Sequence, residues 1–169
     1  MRETILEARQ LAKSYAVDGV QTHVLGSVDL AVGDGSFTAI MGPSGSGKST
    51  LLYCLSGMDA PTSGDVRFRG RSIAGASERE LAELRAQDFG FVFQAANLVS
   101  NLTLFENIAV PGYLKQGRTA AATRAAAEGL VERMDLADVA DHLPSQSSGG
   151  QQQRCAVARA VVNEPSIVF

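Results

Sequence analysis

The chain has 169 residues, 45% hydrophobic and 20% charged, with 17 glycines and a formal net charge of −3. That balance suits one globular domain with a real core, borderline for two lobes, and the lack of a basic excess argues against a nucleic-acid surface. No stretch reaches the ~18 uncharged apolar residues of a spanning helix, so any membrane association has to come through a partner.

The opening MRETILEARQ is charged throughout and has no apolar centre, so it does not read as a signal peptide. Residues 3–37 alternate short apolar stretches with turn signals at Asp18-Gly19 and Gly33-Asp34-Gly35; Val28, Leu30 and Val32 keep the period of two of a half-buried strand. Phe37 to Met41, FTAIM, is a near-continuous apolar run and predicts a parallel strand covered on both faces. GPSGSGKST follows at once, and LLYCLSGM predicts a helix ending near Gly57. DVRFRG reads as a short strand closed by Gly70. SERELAELRAQ reads as a helix that Ser77 caps, with Glu80 three residues on completing a capping box.

Phe89 to Gln94, FGFVFQ, predicts a second buried strand. From Asn101 to His142 helix formers dominate, which predicts a helical lobe inserted into an α/β body. SSGGQQQRCAVARAVVNEP then opens a helix that Ser148 can cap, with Ala156, Val157, Ala160 and Val161 at helical spacing. Pro165 and the apolar SIVF after it predict the start of one more buried strand. Cys54 and Cys155 are the only cysteines and belong to no CxxC or Cys/His cluster, so they read as reduced core thiols.

Gly42 to Thr50 match GxxxxGK[ST] between a predicted buried strand and a helix, the context the pattern requires. Gly42, Gly45 and Gly47, with Pro43, Ser44 and Ser46 between them, let the backbone wrap around phosphates. The N–H groups from Gly45 to Thr50 face inward at the amino end of the helix. Lys48 reaches the β and γ phosphates, and the Ser49 hydroxyl can hold Mg²⁺. A glycine turn that merely caps a helix would leave the Lys beside a hydroxyl unexplained. The loop alone does not choose between an ATPase, a GTPase and a small-molecule kinase.

About a hundred residues later stands SSGGQQQR, Ser147 to Arg154, again at a helix start. Alone it is a Ser-capped glycine turn; after the cradle and FVFQ, in that order, it is far more restrictive. The chain from about Tyr15 to Phe169 resembles the nucleotide-binding subunit of an ABC transporter. The resemblance implies an α/β P-loop fold: an ABC-ATPase core with an antiparallel β arm and an inserted helical lobe, the C-terminal part of the core missing. Residues 1–94 would be the nucleotide-binding core with its arm, 95–145 the helical lobe, and 146–169 the signature helix with the start of the Walker B strand.

Roles follow from the same resemblance. Tyr15 would stack on adenine, against the plainer reading of a half-buried sheet aromatic. Gln94 would touch Mg²⁺ and the attacking water as the catalytic glutamine. Ser148, Gly149, Gly150 and Gln151 would bind the γ-phosphate of ATP held by a second protomer, so that two copies, or this chain and another ABC ATPase subunit, close head-to-tail around two nucleotides. ATP and Mg²⁺ are the implied cofactors and an integral membrane permease the implied partner, placing the chain on the cytoplasmic face of the plasma (inner) membrane. Ser147 stands where the family has an apolar residue, most often Leu, which predicts a weaker anchor for the signature loop. The wording MGPSGSGKSTLL, PTSGDV and GFVFQAANLVSNLTLFENI is similar to subunits of lipoprotein-release, macrolide-export and cell-division type assemblies.

In the family the strand opened by SIVF carries an aspartate that orders Mg²⁺ and then a glutamate that polarises the attacking water; later come a dimer-crossing loop and a γ-phosphate histidine. The sequence stops at Phe169 without them, and His23 and His142 read as solvated or packed bystanders. The expectation is therefore a chain that binds Mg-ATP weakly, does not turn it over, and exposes an apolar strand edge that lowers its solubility. A GTPase would carry an NKxD tetrapeptide, which is absent. A non-transport ABC ATPase would carry two cassettes or long insertions. The remaining alternative is a truncated, non-hydrolysing regulatory remnant that pairs with a complete homologue.

Overall fold

The computed structural model describes residues 3–17 and 19–169; Met1, Arg2 and Asp18, the first half of the expected Asp18-Gly19 turn, lie outside them. The chain forms two compact units, Met1–Leu81 and Ala82–Phe169.

The first unit is an antiparallel sheet with one helix. β1 (Thr4–Val17) and β2 (Val20–Gly33) form a long antiparallel hairpin that pairs Thr4 with Gly33 at one end and Val17 with Val20 at the other, with register shifts between. In β2 the expected alternation is realised, with Val28, Leu30 and Val32 half-buried between exposed Asp29 and Ala31. β3 (Ser63–Phe68) pairs with the other edge of β1, and the two-residue β4 (Arg71–Ser72) closes the order β2-β1-β3-β4. The register of β1 slips between Ala8 and Leu11, where Gln10 takes φ +47° and donates its N–H to Asp29 Oδ1 at 2.9 Å. Gly64 faces that bulge: a Cβ there would stand 2.3 Å from the Gln10 carbonyl oxygen, so only glycine fits. α1 (Lys48–Leu55) contributes Leu51, Cys54 and Leu55 to a core with Leu6, Leu11, Leu25 and Val66.

One expectation fails in this unit. Residues 37–41 form no strand, and Phe37 is 97% and Met41 88% exposed. A strand exists through its ladder, and no described residue pairs with this run. The apolar run is present; the neighbours that would turn it into a covered strand are not found among the described residues.

α2 (Glu78–Asp88) leads into the second unit, and the expected capping box holds: Ser77 Oγ accepts from Glu80 N, and Ser77 N donates to Glu80 Oε2 at 2.9 Å. FGFVFQ is a strand only in part. β5 (Phe89–Gly90) runs parallel to β6 (Ile167–Val168), and beyond the ladder Phe169 N donates to Gly90 O and Val92 N to Phe169 O, both at 2.9 Å. Phe169 also stacks on Phe91, and Phe91 on Phe93. Phe91 to Phe93 stay half-buried and Gln94 is exposed, because a two-residue ladder cannot cover both faces.

The helices between these strands fold as expected. α3 (Leu104–Leu114) starts at a Thr103/Glu106 capping box, and α4 (Ala120–Arg133) is capped by Thr119. α5 (Gly149–Val161) buries Cys155, Ala156, Ala158 and Ala160, with Val157 and Val161 half-buried. Leu104, Ile108, Leu136 and Cys155 are fully enclosed in the shared core of these helices, each large aliphatic contributing about 1.5–3 kcal/mol. Past the C-terminal end of α5, Lys115 donates to the Asn163 carbonyl and Arg118 to the Val162 carbonyl at 2.7 Å, cations placed where the helix dipole favours them. Both cysteines are buried and free. Among the described residues no helix is long and apolar enough to cross a membrane.

Candidate functional site

In the first unit the site is built around the amino end of α1. Its N-cap is Gly47, left-handed at φ +85° and without any side-chain cap, and no acidic residue stands in the first turn. Gly47 cannot be replaced without contact: a Cβ would meet the Val24 carbonyl oxygen and Leu25 at 3.0 Å. With no cap, the first-turn N–H groups of Lys48, Ser49 and Thr50 are left for an external acceptor. Lys48 Nζ folds over the loop and donates to Gly42 O at 3.0 Å and Pro43 O at 2.7 Å. Ser44, Gly45, Ser46 and Ser49 are exposed around it. The combination of open N–H donors, one ammonium and an exposed hydroxyl is an anion receptor.

Tyr15 sits near the end of β1 with 37% of its surface exposed. Its hydroxyl donates to Asp59 Oδ2 at 2.6 Å, while the other carboxylate oxygen takes Lys13 Nζ at 2.5 Å. The Lys13 ammonium also donates to Ala60 O at 2.6 Å and lies 4.8 Å from the Tyr15 ring centroid. These bonds set the local charge. The hydrogen bond to Asp59 raises the Tyr15 phenol above its ordinary value. Burial works against the Asp59 charge, yet the bonds from Lys13 and Tyr15 outweigh it and hold the carboxyl low. Burial likewise opposes the Lys13 charge, and the bond and charge of Asp59 reverse the sign, raising it. Thr50, the last residue of the cradle, acts on the same Tyr15 hydroxyl and pulls its pKa the other way.

In the second unit Gln94 is exposed, and its neighbours on both sides are tied to α5. Gln153 Nε2 donates to Phe93 O at 3.4 Å, and the Arg159 guanidinium donates to Ala96 O and to Asn97 O, both at 2.7 Å. Asn97 is left-handed at φ +46°, turning its carbonyl toward the fork. α5 opens at Ser148, whose Oγ accepts from Gln151 N at 3.3 Å while Gln151 Oε1 accepts from Ser148 N at 2.8 Å. Ser148, Gly149 and Gly150 are exposed. Ser147 does not leave the loop slack: its hydroxyl donates to Leu143 O at 3.1 Å, and its carbonyl, with that of Pro144, accepts from Gln152 Nε2. A polar anchor replaces the apolar one.

His23 bonds Ser14 and His142 is exposed. Among the described residues no group of three or more His, Cys, Asp or Glu could hold a metal ion. The Ser49 hydroxyl, exposed at the cradle, fits Mg²⁺ in the manner of an ion held mainly by substrate phosphates with one or two protein oxygens. A cavity of about 510 Å³ lies instead in the helical unit, lined by Thr103, Phe105, Tyr113, Arg124, Glu128 and Asp141, and none of the predicted residues line it. Sequence reading missed Lys13, Asp59, Gln153 and Arg159. Lys13 carried a signal, standing two residues before Tyr15 and hence on the same strand face; Asp59 had none, since a helix and a turn bring it there.

A profile of the family described as ABC transporter matches residues 25–169. The chain is 41% identical over 169 residues to the lipoprotein-releasing system ATP-binding protein LolD of Shewanella oneidensis, covering all of this chain and 73% of that protein. It is 43% identical over 165 residues to LolD of Xanthomonas oryzae pv. oryzae, covering 98% and 67%. It is also 43% identical to the macrolide export ATP-binding/permease protein MacB 1/2 of Paracoccus denitrificans, of which it spans 25%. Among solved structures it is similar to the dimeric post-hydrolysis state of the ATP-binding cassette MJ0796 bound to ADP and Pi, with a TM-score of 0.90 and 36% identity over 97% of this chain and 72% of that one.

Proposed function

We infer, from the premise that this chain belongs to the ABC transporter family and has the fold of its ATPase cassettes, that it is the ATP-binding subunit that couples ATP binding and hydrolysis to a membrane permease. The observation that carries the reading is the uncapped amino end of α1, with its open N–H donors beneath Lys48 and Ser49.

In this reading Gly42 to Thr50 wrap the triphosphate. Lys48 exchanges its two loop carbonyls for the β and γ oxygens, which carry full negative charge and bind an ammonium more strongly than a neutral carbonyl does. The Ser49 hydroxyl would hold Mg²⁺ at the cradle, which would supply charge neutralisation to those oxygens. The Gln94 amide would serve the metal and the attacking water, and Tyr15 would carry the adenine. Ser148, Gly149, Gly150 and Gln151 address the γ-phosphate held by a second copy, or by another ABC ATPase subunit. That pairing is supported by the dimeric MJ0796 cassette, and the permease partner by a relative that joins ATP-binding and permease in its name. The place of action is the cytoplasmic face of the inner membrane, reached through that permease.

The test is ATP titration by calorimetry. Lys48→Ala removes a charge-assisted contact of about 1.5–3 kcal/mol, hence roughly 10–100-fold in affinity. Unchanged ATP binding by a folded Lys48→Ala chain refutes the reading.

A further inference from the structure

We propose that Asp59 is a positioning residue for the nucleobase: seated at the far end of the cradle helix and clamped by Lys13, its carboxylate fixes the plane of the Tyr15 ring against which adenine packs. The inference rests on the reading of Tyr15 as the base platform and adds what holds that platform in place.

Three observations carry it. The first is that both carboxylate oxygens are committed, one to the Tyr15 hydroxyl and the other to Lys13 Nζ. A tyrosine that merely fills the edge of a sheet has no need of a carboxylate with its own counter-ion. Lys13 is 9% exposed, an unusual burial for an ammonium, and it is placed to serve both Asp59 and the ring. With the cation against it, the ring is held as a plane as well as by its hydroxyl.

The second is that the turn carrying Asp59 is bonded to the last turn of the cradle helix. Met58 N and Asp59 N both donate to Tyr53 O, at 2.9 and 3.1 Å, in the last turn of α1. From the other side the turn is stitched to β1, since Thr62 N donates to Ala12 O at 2.8 Å and Ser14 N to Thr62 Oγ1 at 3.0 Å. The third is that the Lys13 ammonium also donates to the carbonyl of Ala60, the residue after Asp59, at 2.6 Å, so the same cation that pairs with the carboxylate holds its turn. The 8 residues of α1 span about 12 Å. The helix therefore carries the phosphate receptor at its start, and the bonded turn that directly follows its end carries the anchor of the base platform.

The experiment titrates the whole chain with ATP and with inorganic tripolyphosphate, which has the phosphates and no base. Asp59→Ala and Tyr15→Phe are each expected to weaken ATP about tenfold, a loss within the range of one base-stacking contact, and to leave tripolyphosphate within about twofold. The two changes are expected to be non-additive, because each removes the same bond. Equal weakening of both ligands by Asp59→Ala makes Asp59 a general structural residue and overturns the proposal. If Asp59→Ala does not fold, Tyr15→Phe decides alone, since it deletes only the hydroxyl; unchanged ATP affinity then overturns the proposal. Tyr15→Ala separates the two levels. If it weakens ATP but not tripolyphosphate while Asp59→Ala and Tyr15→Phe do nothing, the platform stands and the positioning role falls. If Tyr15→Ala does not affect ATP, the platform reading is wrong and this inference falls with it.

Discussion

The loop that carries Gln94 is held by the signature helix, and Arg159 is the residue to remove. Its guanidinium makes two charge-assisted bonds, to the carbonyls of Ala96 and Asn97, both at 2.7 Å. Such bonds contribute about 1.5–3 kcal/mol each where water is excluded. Asn97 is exposed, so water replaces its bond readily, while Ala96 is half-buried and loses more. The net for Arg159→Ala is therefore about 2 kcal/mol, which raises the open population of residues 94–98 about 30-fold. Lysine keeps the charge but reaches one carbonyl, so Arg159→Lys should lose about half of that. Limited proteolysis with chymotrypsin, which cuts after Phe93 and Leu98, reads the open population when reclosing outpaces cleavage. The expected order of cutting rates is Ala above Lys above the parent chain. Equal rates in all three, with the fold intact, refute the idea that α5 holds this loop.

Three further outcomes follow from local geometry and charge. Gly64→Ala places a Cβ 2.3 Å from the Gln10 carbonyl at a φ of +87°, so urea unfolding should show a loss of at least about 2 kcal/mol. Asp59→Asn should lower the alkaline midpoint of the Tyr15 phenol, read by phenolate absorbance with Tyr15→Phe as the blank, because Asp59 is what raises it. The linkage signs follow: the raised Lys13 and Tyr15 contribute fully below about pH 10 and lose that contribution as pH climbs through their folded values, while the lowered Asp59 contributes above about pH 4 and loses it as pH falls further. Burial pushes the Cys155 thiol up to about 11, so Cys155 should resist a disulfide-forming reagent at neutral pH until the chain unfolds.

What could be read in the sequence was whatever is encoded within a few residues. The capping box at Ser77, the cap at Ser148 and the GxxxxGK[ST] loop are local grammars, and each folds as its spacing dictates. The alternation of Val28, Leu30 and Val32 is likewise local. FTAIM failed for the complementary reason. Its composition records a preference for burial, but a parallel strand is completed only by neighbours far away in the chain, and composition does not say whether they are there. Asp59 and Arg159 were unreadable because their partners lie 44 and 62 or 63 residues off. Their side chains acquire a meaning only once a helix has carried them to the site.

The two glycine-bearing helix starts differ in a way that bears on how each would take up phosphate under the proposed function. α1 begins at a glycine with no side-chain cap, so its first-turn N–H groups are open and Lys48 waits on two neutral carbonyls. α5 is capped by its own residues, with Ser148 Oγ on Gln151 N and Gln151 Oε1 on Ser148 N. A phosphate arriving at α5 finds the Gly149 and Gly150 N–H groups free but must compete for that of Gln151. The bond it displaces is long, at 3.3 Å, and a charged oxygen outcompetes a neutral hydroxyl. Self-capping therefore keeps α5 formed without a ligand at small cost to binding one. The uncapped start of α1 has no such internal competitor, which under the proposed function makes it the stronger receptor for the triphosphate.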